Sequence, residues 1–152
     1  MSVTYDNIVS AQQEQGDVIR KTSLTFSDTF TQLTGSTVYL KNEFEQKTGS
    51  FKLRGAYHKI KTLSEEERKN GVVAASAGNH AQGVAYASAL EKINCTIVMP
   101  TNASPAKVAA TRGYGATVVL EGKNYDESWV RHKKLLKQQA QQSFMRLMTH
   151  KS

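Results

Sequence analysis

An α/β fold, an open and mostly parallel sheet with helices on both faces, follows from three features of this 152-residue sequence. Short apolar runs alternate with longer stretches of helical periodicity. The short runs are nearly continuous in apolar residues, as expected of strands covered on both faces. No internal repeat or low-complexity segment interrupts the order, so right-handed crossovers would wind it into one layered unit.

Val38-Tyr39-Leu40 is the first strand candidate. Ser50 to about Leu63 follows as a helix, with Phe51, Ala56, Tyr57 and Ile60 near helical spacing. Val72–Ala75 is the second strand, and the alanine-rich stretch from about Asn79 to Glu91 the next helix. Thr96–Met99 is the third strand, stopped by Pro100. Ser104-Pro105 opens a helix, serine as N-cap and proline at the first position, that ends near Gly113. Thr117–Leu120 is the fourth strand, and Asn124 to about Gln141 the last helix. The end, QQAQQSFMRLMTHKS, reads as a frayed helix end or a segment out of register.

Composition bounds the function. Hydrophobic residues make up 39% and charged residues 22%, an ordinary globular balance able to bury a core without staples. One cysteine, Cys95, permits neither an intrachain disulfide nor a multi-cysteine zinc site, and reads as an inert core thiol in a reducing, cytoplasmic setting. No apolar run reaches the roughly 18 residues of a membrane span. The start, MSVTYDNIVSAQQEQGDV, lacks the basic flank and apolar stretch of a secretory signal. The net charge of +7 is concentrated from Gly122 onward, in a glutamine-rich tail. Without interleaved aromatics, this argues for a solvated helix face over nucleic-acid binding.

In an open parallel sheet, ligands sit outside the carboxyl ends of the strands. Ser76-Ala77-Gly78-Asn79-His80 follows one such strand and opens a helix. Free helix-start amides, the dipole, a glycine for close approach, and donors from Ser76 and Asn79 suit a carboxylate or phosphate; a capped turn without a guest fits the same residues. In Thr48-Gly49-Ser50-Phe51-Lys52, Ser50 as N-cap would put Lys52 in the first helical turn. There the dipole opposes its charge and lowers its proton affinity, which imine chemistry requires. Phe51 would offer a flat apolar wall. A surface lysine on an amphipathic helix is the plain alternative.

Other chemistries lack their motifs. There is no GxxxxGK[ST] loop, no GxSxG elbow and no GxGxxG, since Val118 stands at the third glycine after Gly113 and Gly115. The four histidines, His58, His80, His132 and His150, show no metal-like pairing, so no metal site is expected.

KNEFEQKTGSFKLRGA and SAGNHAQG together resemble the fold-type II pyridoxal-phosphate enzymes, and most closely the threonine dehydratases (threonine ammonia-lyases), with the serine racemases as near kin. The likeness continues through MPTNASPAKVAATRGYGATVVLEGKNYDES and covers about Val18 to Ser128. It implies pyridoxal 5′-phosphate as cofactor. Lys52 matches the lysine that condenses with the cofactor aldehyde and later moves protons. Phe51 matches a residue packed against the cofactor, and Asn79 one that hydrogen-bonds its 3-hydroxyl oxygen. Ser76, Gly78, Asn79 and His80 match the loop that clasps the substrate carboxylate. Lys47, Thr48 and Gln82 match nucleotide contacts of activated family members. Ala77 stands where similar racemases carry an acid–base serine, which argues for elimination over racemisation.

The implied reaction deaminates L-threonine, or serine, and gives 2-oxobutanoate and ammonia from threonine, the chemistry of a carbon–nitrogen lyase of cytoplasmic amino-acid metabolism and isoleucine biosynthesis. Residues 1–40 would belong to a large domain, 41–141 to the small α/β domain, and 142–152 to an out-of-register tail. Three departures stand out. Ser23 replaces a family proline. The phosphate-cradling glycine-rich loop and the partner of the pyridine nitrogen lie downstream of the matched region, so the chain is expected to be truncated. SFMRLMTHKS does not match, as a frameshifted or mis-spliced gene would produce. A non-catalytic fragment, docking as a partner on a full-length homologue, and a serine racemase-like enzyme are the alternatives; a homo-oligomer is also compatible.

Overall fold

The computed structural model describes residues 3–149, without the side chains of 125 and 141–149. His150 and the rest of the expected tail beyond 149 lie outside the described residues.

The expected α/β layering is present, built on a three-stranded parallel sheet of β3 (Val72–Ala75), β4 (Cys95–Met99) and β5 (Thr117–Leu120), in that order. Val72 pairs with Cys95 and Thr96 with Thr117. The crossovers are α5 (Asn79–Leu90) and α6 (Pro105–Gly113). Cys95, Ile97 and Met99 are buried on one face with Ala81, Val84 and Ala85 of α5. The alternate residue Val98, fully buried outside that cluster, faces the other way. There α7 (Tyr125–Thr149) lies along β3 and β4. Its His132 Nε2 sits 3.1 Å from the Val73 carbonyl.

On the α5 side, α3 (Lys52–Lys61) buries Leu53, Ala56, Tyr57 and Ile60 in the same cluster. Ala56, Tyr57 and Ile60 belong to the helical stripe read in the sequence, but Leu53 takes the buried place expected of Phe51, which is exposed. A short α4 (Glu65–Asn70) follows, opened by a reciprocal capping box between Ser64 and Glu67. Gly71 then turns the chain into β3 at φ +81°, where a Cβ would lie 2.7 Å from the Asn94 carbonyl oxygen. Glu91, at the end of α5, accepts hydrogen bonds from Lys61, Arg68 and Tyr57 and ties α3, α4 and α5 together. Those hydrogen bonds hold its carboxyl below the usual range against the burial that would raise it.

The structure corrects three expectations. Val38–Leu40 does not begin the parallel sheet. Its counterpart β2 (Tyr39–Lys41) pairs antiparallel with β1 (Leu24–Phe26), in a separate two-stranded ribbon. A three-residue apolar run carries no sign of which partner it will find. Two helices, α1 (Tyr5–Gln15) and α2 (Asp28–Thr34), flank β1 and had no place in the sequence reading. The last helix runs to Thr149 rather than to about Gln141.

Ser23, where the resemblance implies a proline, uses what proline lacks: its backbone N–H donates to Glu45 Oε2 at 2.9 Å. Cys95 is buried, and burial pushes its thiol up. An unreactive core thiol is the consequence.

Candidate active site

Three helices begin at one edge of the molecule. α5 starts directly beyond the carboxyl end of β3, and α6 beyond that of β4. The start of α3 is brought alongside by close packing against α5. Gly83, one turn into α5, makes this approach possible: a Cβ there would lie 3.2 Å from Leu53 N and 3.3 Å from Lys52 O.

The first turns of these helices line one open cleft of about 380 Å³, bordered by Lys52, Ser76, Ala77, Gly78, Asn79 and Lys107. The two motifs singled out in the sequence, 24 residues apart counting from Lys52 to Ser76, thus meet. Lys52 is the first residue of α3. Its N-cap is Phe51, not Ser50 as expected. Ser50 Oγ is buried and, like Thr48 Oγ1, has no hydrogen-bond partner among the described residues.

The Ser76–Gly78 turn is held by the Ser76 hydroxyl, which accepts from Gly78 N and Ala81 N, each at 3.2 Å. Ser76 therefore acts here as an acceptor, where the sequence suggested a donor. It satisfies the third amide of α5 in place of a side chain on the N-cap, which is Gly78. The amides of Asn79 and His80, in the first turn, have no intrahelical acceptor and remain for a guest. The Asn79 carboxamide is exposed and makes no hydrogen bond among the described residues.

Not every expected residue lines this cleft. Phe51 is 60% exposed and borders a neighbouring hollow with Arg20, Lys41, Glu43 and Arg54. His80 is exposed and is not among the lining residues, but it stays in electrostatic reach of Lys52. Loss of hydration first, and the Lys52 charge second, hold its imidazole below the ordinary value of 6.5. Lys47, Thr48 and Gln82 are elsewhere: Lys47 Nζ donates to the Asp17 carbonyl at 3.1 Å, and its own carbonyl accepts from the Tyr114 hydroxyl. No group of three potential metal ligands occurs among the described residues.

Sequence reasoning missed Gly83 and Lys107. A glycine inside a helical pattern costs roughly 1 kcal/mol against alanine, and that cost was the available signal for Gly83. Lys107 had none, since a lysine early in a helix after Ser-Pro looks like solvated surface.

The family described as pyridoxal-phosphate dependent enzyme matches residues 16–147. An L-threonine ammonia-lyase of Thermotoga maritima is 54% identical over 127 residues, 84% of this chain and 32% of that protein. The structure of serine racemase from Dictyostelium discoideum superposes with a TM-score of 0.81 at 39% identity, over 91% of this chain and 45% of that one. Threonine deaminase isoform 2 of Solanum lycopersicum gives a TM-score of 0.78 at 36% identity, over 91% and 42%. The chain therefore spans about a third of the curated relative and under half of either structural neighbour.

Proposed function

The chain belongs to the pyridoxal-phosphate dependent enzymes, and from that premise we propose that it serves as a threonine/serine dehydratase, deaminating L-threonine to 2-oxobutanoate and ammonia. One observation carries this reading: Lys52 and the Ser76–Asn79 turn line the same cleft.

The donors present fit the aldehyde and 3-hydroxyl side of the cofactor. An amine free of ion pairs among the described residues, an unengaged carboxamide and two helix-start amides border a space with no acidic side chain among its lining residues. Lys52 would hold pyridoxal 5′-phosphate and Asn79 would hydrogen-bond its 3-hydroxyl oxygen. When bound, the cofactor supplies an aldehyde for condensation with an amine and an electron sink for charge developing at the substrate α-carbon.

The chain's own residues would do the rest. The amides of Asn79 and His80, with the α5 dipole, hold the substrate carboxylate. Ser76 fixes the turn that aims them. Gly78 keeps the approach free of a side chain. Lys52 Nζ takes the α-proton and returns a proton to the β-hydroxyl, which leaves as water. The released enamine tautomerises and hydrolyses to 2-oxobutanoate and ammonia. Ala77 has no proton to deliver to the α-carbon, which favours elimination over a racemase-like outcome.

In this reading residues 41–141 form the small domain, residues 1–40 belong with a large domain and 142–152 form the tail. The setting would be cytoplasmic, and the product a precursor for isoleucine biosynthesis.

A second reading has its own support. Leu24, Phe26 and Leu33 of the N-terminal segment, and Phe44 just after it, are exposed, Leu33 and Phe44 by 74% and 73%. Apolar surface of this kind suits a docking face, as in a non-catalytic partner of a full-length homologue. Adding pyridoxal phosphate and then threonine separates the two. A visible absorbance band abolished by Lys52→Ala, with release of ammonia and 2-oxobutanoate, supports the dehydratase. Absence of both band and turnover supports the non-catalytic partner and contradicts the dehydratase.

A further inference from the structure

Lys107 occupies the third position of α6 and reaches back across the α5 start. A Cβ on Gly78 would lie 2.8 Å from Lys107 Cδ and 2.9 Å from its Nζ, so the ammonium rests against the Gly78 backbone. It makes no ion pair among the described residues. Lys52 is the other cation of the cleft, and no acidic side chain borders it. The first turn of α6 adds its own partial positive charge to that of α3 and α5. An unneutralised ammonium laid over a glycine, beside helix-start amides, is placed to meet an anion rather than to stabilise the fold.

The geometry points to Lys107 as a second-cation clamp for the substrate carboxylate, gripping from α6 the same group that the Asn79 and His80 amides hold from α5. This inference rests on the reading that the Ser76–His80 turn takes a carboxylate. Gly78 is then required twice over, since a side chain there would displace the ammonium as well as crowd the guest. Lys52 and Lys107 divide the work: one amine exchanges protons with the substrate, and the other holds it still.

Titrating L-threonine into the isolated chain, and following the backbone amides of residues 77–80 by NMR, tests this. The wild type is expected to show saturable shifts. Lys107→Gln should weaken the apparent affinity about tenfold, as loss of a charge-assisted hydrogen bond would. Lys107→Arg, which keeps the charge and donors, should restore it to within about threefold. Unchanged affinity in Lys107→Gln overturns the role of Lys107 and leaves the carboxylate turn standing. Absence of shifts in the wild type overturns the carboxylate turn itself, and the clamp with it. Inorganic phosphate binding more tightly than threonine at the same amides contradicts the assignment to a carboxylate.

Discussion

A Cβ on Gly83 would lie 3.3 Å from the carbonyl oxygen of Lys52. The atoms in the way are backbone, so they cannot rotate aside; α3 and α5 must separate instead. Gly83 thereby sets how close Lys52 comes to the Ser76–Asn79 turn.

Substitution at Gly83 should therefore affect the site more than the fold. Gly83→Ala combines a gain in helix propensity of roughly 1 kcal/mol with a contact needing a few tenths of an ångström of relief, and should leave stability nearly unchanged. Gly83→Val should cost about 1–3 kcal/mol through overpacking. Both should lower the yield of a borohydride-trapped pyridoxal adduct on Lys52, valine much more. Denaturant midpoints and peptide mass mapping measure the two effects.

Ser76→Ala removes the acceptor of two backbone N–H groups. Leaving buried donors unpaired costs about 1–3 kcal/mol. Amide hydrogen exchange should accelerate at Gly78 and Ala81 before the rest of α5. Unchanged protection there would show that the hydroxyl does not hold the turn.

His80 supplies a pH-dependent handle. Its imidazole is held below 6.5, by lost hydration first and the Lys52 charge second. As pH falls below 6.5, the unfolded chain takes up this proton before the folded one does. In that window the unfolded state binds more protons, so this group's contribution lowers stability as pH drops. An NMR titration of the ring protons should give a midpoint below 6.5. Lys52→Gln should raise that midpoint only part of the way, because the hydration cause remains.

The parallel sheet was legible because its chemistry is local. Val72–Ala75 and Thr117–Leu120 are β-branched or small apolar runs at the limits observed, and Pro100 stops the strand between them. The Ser104-Pro105 helix start was legible for the same reason. The ribbon was not: Leu24, Thr25 and Phe26 are all exposed, so no burial pattern marks them as the partner of Tyr39–Lys41. The Ser64–Glu67 capping box was a signal for α4 that went unused. In the site, Lys52 and the Ser76–His80 turn could be found from their motifs. Lys107 could not, because its importance comes from lying across Gly78, a contact between α5 and α6 that neither sequence neighbourhood announces.

The most direct test is to treat the chain with pyridoxal phosphate, reduce with borohydride and locate the label by peptide mapping. Lys52 and Lys107 both border the cleft with Asn79, yet only Lys52 stands at the start of α3. The expected result is a single dominant adduct on Lys52, lost in Lys52→Ala and not transferred to Lys107. A label on Lys107, or one spread evenly over surface lysines, would contradict the assignment of Lys52 as the residue that holds the cofactor.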